Sequence, residues 1–385
     1  MKATAITHSW HQKGIILLFL AVVFIPGLKM LFLPEPRWSD AEKRALADPP
    51  PLPSSIADLP AFIHNLESFL SDNFGFRDFF INRYYKEIRH RFGISGVDKT
   101  VLQGQEGWLY FIAEDQLQDY QGKAVLGEEK LTAWIHAAQK KHQWLKARGI
   151  QYLLVIAPNK QSIYPEFMPG SLSQLNGASR FQQLRQRLQS QPLEFVVDLH
   201  TPMLSAKSQH QLFHKADTHW NHRGAFVAYL AIIGSLQEKF PNKEFRHDFH
   251  FGQDRTERCS ETIGCDLALM ARSDLEISET YPVVDDVHLC RWPFPVSQFG
   301  LTNIDTSKGQ YHFSKRCQTK QMRAVIFRDS FMNALEPFLS ENFKESIYLW
   351  KPYDQQNMEE ILSRFTPDLV IEEVVERDFY KVPTR

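Results

Sequence analysis

From residue 129 onward, strand-length apolar runs alternate with helix-length amphipathic runs, and this alternation leaves the chain few folds to choose from. Leu131, Trp134, Ile135 and Ala138 recur at helical spacing, and Gly149 is placed to end that helix. The apolar run Tyr152-Leu153-Leu154-Val155-Ile156-Ala157 reads as a strand. A second helix is expected around Ser179–Gln189, and a second strand over Phe195-Val196-Val197-Asp198-Leu199. Asn221 is a candidate N-cap for a helix from His222 to about Lys239. Residues 245–320 are less regular, with short strand-like pieces and turns. Strands at 323–327, 346–350 and 368–374, with helices at 333–343 and 356–365, complete the pattern. The reading is an α/β fold: a parallel sheet covered on both faces by helices. Sites in such sheets gather beyond the carboxyl ends of the strands.

The N-terminal part has a different character. Gly14 to Leu33 holds about 20 mostly apolar residues, enough to cross a bilayer core as a helix, although Pro26, Gly27 and Lys29 interrupt its second half. Lys2, Lys13, His8 and His11 lie on one flank and Pro34-Glu35-Pro36 on the other, which places the N-terminus in the cytoplasm. No small-x-small cleavage site follows, so the segment is expected to be an uncleaved signal-anchor. The expected organisation is a cytoplasmic tail (1–13), a transmembrane helix (14–33), a Pro-rich spacer (34–58) and one large domain (59–385). Asp48-Pro49-Pro50-Pro51-Leu52-Pro53 makes the spacer stiff. Residues 60–90 read as helix through Phe62, Leu66, Phe69, Leu70, Phe79, Tyr84 and Ile88, and Val101 to Phe111 as a hairpin. Lys+Arg 44 against Asp+Glu 45 leaves no global electrostatic footprint for nucleic acid. Cys259, Cys265, Cys290 and Cys317 permit two disulfides in an exported domain, with free buried thiols as the alternative; zinc-type C-x-x-C spacing is absent.

Two segments carry candidate chemistry. Asp217-Thr218-His219 sets a carboxylate two residues before an imidazole; in extended chain both point to one side. Arg328-Asp329-Ser330-Phe331 follows the apolar run Ala324-Val325-Ile326-Phe327 and precedes a helical pattern, so Ser330 stands exposed at a strand-to-helix turn beside unpaired N–H groups. Ser330 as nucleophile, His219 as base and Asp217 as orienter would form a serine acyl-transfer machine. Asn159 ends a strand at the same sheet edge and is a candidate oxyanion donor, or else an ordinary turn residue. His214, Asp217, His219 and His222 crowd together and would suit zinc, but they lack the H-E-x-x-H helical spacing and leave the Asp-Ser turn unexplained. No metal is therefore assigned, and no nucleotide-cofactor fingerprint is present. Glu372, Glu373, Glu376 and Arg377 read as charged edges of a final strand and its exit; Trp108 and Tyr110 read as core packing.

Around these residues the chain resembles the AlgJ/AlgX family of alginate O-acetyltransferases, which carry an SGNH-hydrolase-like domain. Glu42-Lys43-Arg44-Ala45-Leu46-Ala47 is similar to the family's Glu-Asn-Arg-x-Leu opening. Asp72-Asn73-Phe74-Gly75-Phe76-Arg77 is similar to its Asp-x-Phe-x-x-Arg segment, and Gly107-Trp108-Leu109-Tyr110 to its Gly-Trp-Leu-Phe segment. Pro158-Asn159-Lys160, Ile163-Tyr164-Pro165, Gly264-Cys265-Asp266-Leu267, Pro367-Asp368-Leu369-Val370-Ile371-Glu372 and Glu376-Arg377 continue the match in order.

The resemblance implies that Ser330, His219 and Asp217 are the catalytic triad, with an acetyl group passing through Ser330 to a hydroxyl of an exported polysaccharide. It implies a membrane-bound O-acyltransferase as acetyl donor, other exopolysaccharide export proteins as partners, and a bacterial inner-membrane anchor with the domain in the periplasm. Anchor, spacer and a single domain place the layout nearer AlgJ than AlgX. One departure stands out: the family's Gly-Asp-Ser is here Arg328-Asp329-Ser330. An arginine would narrow the pocket or alter the turn, or else bind an anionic sugar near Tyr164 or a developing negative charge. An acetylesterase with the same triad, and an inactive polymer-binding protein with a blocked pocket, remain open alternatives.

Overall fold

A computed structural model describes residues 10–32, 38–39, 44–81, 83, 100–172, 177–259, 265–271, 278–285, 292–299, 301 and 312–381. The chain forms two compact units, residues 1–97 with 269–274, and residues 98–268 with 275–385.

In the first unit, helix α1 (Trp10–Phe32) runs unbroken through Pro26. It is long and apolar enough over Lys13–Met30 to cross a membrane, and nearly all of that stretch is exposed. Two-residue strands, Trp38–Ser39 and Arg44–Ala45, pair antiparallel within the expected spacer. Helix α2 (Leu59–Asn73) is shorter than expected. The chain turns at Phe74, Gly75 and Phe76 before helical backbone resumes at Arg77. Gly75 is required there, because a Cβ would lie 2.2 Å from the Pro26 carbonyl oxygen. Asp72 Oδ2 accepts from Ala47 N–H (3.0 Å), and Asn73 Nδ2 donates to Ala47 O (2.9 Å), tying the spacer to the end of α2. Tyr84, Ile88, Glu42, Lys43, Gly264 and Cys290 lie outside the described residues.

The second unit is built on a seven-stranded sheet. Its strands in chain order are β1 (Gln151–Ala157), β2 (Val196–Val197), β3 (Trp292–Pro293), β4 (Phe313–Arg316), β5 (Arg323–Arg328), β6 (Glu345–Trp350) and β7 (Leu369–Val375). The spatial order is β2-β1-β7-β5-β6-β4-β3. Side chains alternate between two cores, as the pleat requires. Leu153, Val155, Ala157, Ile326 and Ile371 join one core with helices α5 (His222–Lys239) and α6 (Met332–Leu339). Tyr152, Leu154, Ile156, Val325, Phe327 and Val370 join the other. That second core includes helices α3 (Glu128–Lys146), α4 (Arg180–Ser190) and α7 (Gln355–Leu362). The hydrophobic alternation read from the sequence is thus a layering of helices on both sheet faces.

The sheet is mixed rather than purely parallel. β2, β1, β7, β5 and β6 run parallel, whereas β4 pairs antiparallel with both β6 and β3. β4 leads into β5 through a short turn with no helix between them. Without a crossover to return the chain to its starting end, the strand must reverse direction. Local boundaries follow their caps. Ser179 and Gln182 form a capping box on α4, Asn221 accepts from Arg223 and Gly224 N–H on α5, and Gly149 (φ 72°) releases the chain from α3 into β1.

Candidate active site

Ser330, Asn159 and Glu376 follow the carboxyl ends of β5, β1 and β7, three strands adjacent in the sheet. The turn carrying Ser330 is fixed by its neighbour Asp329. One Asp329 oxygen accepts from Phe331 N–H (2.8 Å) and the other from Val375 N–H (2.6 Å), while Asp329 N–H donates to Glu373 Oε2 (3.0 Å). β7 therefore holds the serine turn from below. Phe331 N–H, expected as a free donor at a helix start, is already occupied.

The second segment is not extended chain. Asp217 Oδ1 accepts both His219 N–H (2.9 Å) and the ring Nδ1 (2.6 Å), forming an Asx turn that faces the carboxylate toward the imidazole. Immediately after it, Asn221 starts α5, and Trp220 Nε1 donates to Phe331 O (2.9 Å). His219 also packs on Phe331, with ring centroids 4.9 Å apart. These contacts bring His219 Nε2 to 2.7 Å from Ser330 Oγ. Ser330, His219 and Asp217 are thus a hydrogen-bonded series across two distant chain segments. The His219 side chain is 25% exposed and the Asp217 side chain 8%, so the base reaches solvent and its carboxylate does not.

Electrostatics follow the geometry. Burial works against the imidazolium of His219, but the Asp217 carboxylate, and Asp266 beyond it, outweigh that and raise the imidazole above its ordinary value. Burial likewise works against the ionised Asp217; His219 overcomes it and holds the carboxyl far below its usual range. Arg377, whose guanidinium lies over the Phe331 ring at 5.6 Å, is a cation beside the turn and opposes protonation of His219. In chemical terms the series can withdraw a proton from Ser330 and return it.

Asp266, given no role from sequence, completes this corner. Its N–H donates to Asp217 Oδ2 (3.1 Å), and its carboxylate accepts from Thr218 N–H (2.7 Å) and the Thr218 hydroxyl (2.6 Å). Its only sequence signal was the segment Gly264-Cys265-Asp266-Leu267. Cys265 is disulfide-bonded to Cys259, and Cys317 is also in a disulfide. Asp217, His219 and Asp266 carry donors within 4.8 Å of one another, a spacing a metal ion could use. Here, however, Nδ1 is engaged by Asp217 and the Asp266 carboxylate by Thr218. The other histidines of the crowded segment point elsewhere: His222 Nδ1 lies 3.1 Å from Pro282 O, and His214 Nδ1 3.6 Å from Glu279.

Three further candidates sit differently from their sequence reading. Arg328 is 2% exposed. Its guanidinium donates to Asn333 Oδ1 (2.6 Å) and Asp329 O (3.2 Å) and lies over the Phe313 and Trp350 rings. As the last residue of β5, it is buried among protein partners and braces the serine turn through Asp329 O, rather than lying open to a sugar. Tyr164 is a core residue stacked on Trp108 at 4.5 Å, its hydroxyl accepting from Leu212 N–H (2.9 Å); burial pushes that hydroxyl up to about 12. Asn159 is buried, with its N–H on Glu376 (2.8 Å) and its amide on Gln116 (3.5 Å). It lines a cavity of about 60 Å³ together with Glu376 and His200. Lys160, next in sequence, is buried with Nζ on Leu109 O (2.7 Å) and Lys215 O (3.0 Å); burial lowers it to about 8.

The acidic residues of β7 are the largest departure from the sequence reading. Glu372 and Glu373, within the central strand β7, and Glu376 just after it are all buried. Glu372 takes Lys141 (2.9 Å) and Tyr152 (2.5 Å) as partners. Glu376 accepts from Ser162 Oγ (2.7 Å) and Asn159 N–H, yet burial still raises it to about 7. A raised carboxyl contributes most below its unfolded value near 4.5, and that contribution is lost as pH rises toward 7. Glu376→Gln keeps both hydrogen bonds, its oxygen accepting from Asn159 N–H and its amide NH2 donating to Ser162 Oγ. It should therefore raise the melting temperature at pH 8 by about 3–6 °C and flatten the pH dependence between 4.5 and 7, as read by thermal denaturation.

Residues 101–275 match the family model described as the SGNH hydrolase-like domain of the acetyltransferase AlgX. The match includes Asp217, His219 and Asp266 and ends before Ser330. The "Probable alginate O-acetylase AlgJ" of Pseudomonas syringae pv. tomato is 30% identical over 142 residues, 37% of this chain and 34% of that protein. The protein of the same description from Pseudomonas putida is 31% identical over 142 residues, 36% of this chain and 34% of its own length. The alignments thus span about a third of these relatives. Bacillus cereus PatB1 with a sulfonyl adduct shares the fold at a TM-score of 0.50 and 15% identity, covering 73% of this chain and 98% of that one. For the O-acetyltransferase domain of Pseudomonas putida AlgJ the values are 0.46 and 19%, with 73% and 92% covered.

Proposed function

We propose that this chain O-acetylates an exported polysaccharide through Ser330, a reading supported by the match of residues 101–275 to the SGNH hydrolase-like domain of the acetyltransferase AlgX. The observation that carries the reading is the hydrogen-bonded series Ser330–His219–Asp217 at the carboxyl edge of the sheet. Ser330 Oγ attacks the acetyl carbonyl carbon of a donor while its proton passes to His219 Nε2. Collapse of the tetrahedral adduct expels the donor's leaving group, which takes that proton, and leaves acetyl-Ser330. A sugar hydroxyl then attacks the same carbon, His219 accepts its proton, and collapse returns it to Ser330. Asp217 holds the Nδ1–H tautomer and stabilises the imidazolium at both steps.

In this reading α1 anchors the chain in the inner membrane with the second unit in the periplasm. A membrane-bound O-acyltransferase supplies acetyl groups, and the chain works beside other export proteins.

The test incubates the full chain in detergent with p-nitrophenyl acetate and maps acetylation by peptide mass spectrometry. Acetyl on Ser330 that is lost in His219→Ala and then moves to an added uronate or glucan oligosaccharide supports the reading. Release of acetate to water alone, with no acetylated sugar, makes the protein an esterase. An unmodified Ser330 in folded protein sinks both.

A further inference from the structure

We propose that Asp266 is a positioning residue of the same site: its carboxylate clamps Thr218 and sets a second negative charge beside the His219 ring. The proposal rests on the acyl-transfer reading above. Asp217 and Asp266 are bound reciprocally. Asp217 Oδ2 accepts from the Asp266 backbone (3.1 Å), and Asp266 accepts from both the backbone (2.7 Å) and the hydroxyl (2.6 Å) of Thr218. The Asp-Thr-His turn is therefore held from two directions, by its own Asx bond and by a segment far along the chain. Asp217 Oδ1 already serves two donors of His219, and its second oxygen is met by the backbone N–H at 266, a contact of the main chain; what the Asp266 side chain itself adds is the pair of bonds to Thr218.

Asp266 also acts through charge. Its Oδ2 lies 3.8 Å from His219 Nδ1, near enough to favour imidazolium without displacing Asp217 from the short hydrogen bond. The two carboxylates differ in consequence. Asp217, paired with His219, stays ionised, whereas burial and the neighbouring Asp217 charge raise Asp266. Asp217 thus fixes the tautomer, and Asp266 holds the turn and trims the basicity of the ring.

The test labels Ser330 of the full chain with phenylmethylsulfonyl fluoride across pH 5 to 9, reading the adduct by mass spectrometry, with circular dichroism to confirm folding. Asp266→Asn keeps an acceptor for Thr218 N–H but removes the charge. It should shift the acidic midpoint of labelling down by about 0.5–1 pH unit, with a plateau within about threefold of wild type. Thr218→Val removes the hydroxyl arm of the clamp and should lower the plateau about tenfold with a smaller midpoint shift. The same midpoint and plateau in wild type and both variants would overturn the role of Asp266 while leaving the reactive serine standing. Absence of labelling in wild type would overturn both. Zinc that blocks wild-type labelling but not that of Asp266→Asn would instead show the trio holding a metal, and would also overturn the clamp.

Discussion

His219→Ala should cut Ser330 acetylation by p-nitrophenyl acetate by about 10⁴-fold or more while leaving the fold intact. The loss is large because Ser330 Oγ has His219 Nε2 as its 2.7 Å partner, and a neutral serine hydroxyl is a weak nucleophile without a base. Asp217→Asn should come close to it, since an amide at 2.6 Å from Nδ1 favours the wrong tautomer. The pH profile supplies an independent check. Acylation requires neutral imidazole, and His219 is raised above its ordinary 6.5, so the rate should climb with pH through a midpoint above that value. In the linkage sense, the raised imidazole stabilises the fold fully below 6.5 and loses that contribution as pH rises through its folded value. A rate that is flat from pH 5 to 9, or a His219→Ala enzyme within tenfold of wild type, would remove His219 from the chemistry.

Arg328→Gly, which installs the family's glycine before Asp-Ser, should destabilise the protein and fail to activate it. The guanidinium is buried between Phe313 and Trp350 and bonded to Asn333, with Glu373 and Glu336 among the charges that favour it. Removing one member of a buried charged network costs about 3–5 kcal/mol, and glycine leaves the two rings facing empty space. A fall in melting temperature of about 10 °C is expected, with Ser330 labelling at 25 °C equal to or below wild type. Faster labelling in the glycine variant would instead mean that Arg328 restrains the serine through its bond to Asp329 O, which would overturn a purely structural role.

The two predictions mark where sequence reading succeeds and where it stops. Strands and helices were legible because the apolar residues of β1 and β5 serve two cores at once, which forces nearly uninterrupted hydrophobic runs. The Asp-Thr-His spacing was legible because its bond is local, although the turn differs from the extended geometry expected. Tyr164 and the glutamates at and after β7 read differently in the structure for one shared reason: their partners come from remote parts of the chain. Glu372 looks like a solvated acid until Lys141 and Tyr152 are placed beside it, 231 and 220 residues away in sequence. β4 escaped notice because Phe313-Ser314-Lys315-Arg316 is short and polar and gains strand character from pairing with β6.

The disulfide between Cys259 and Cys265 has a bearing on how the site is assembled. Its second cysteine directly precedes Asp266, so the bond tethers the start of the segment that reaches back to Asp217 and Thr218. A chain folded under reducing conditions carries every residue of the site but lacks that tether. Reduction would open the short loop that ends beside Asp266, so Ser330 labelling compared with and without a strong thiol measures what that closure contributes to the site.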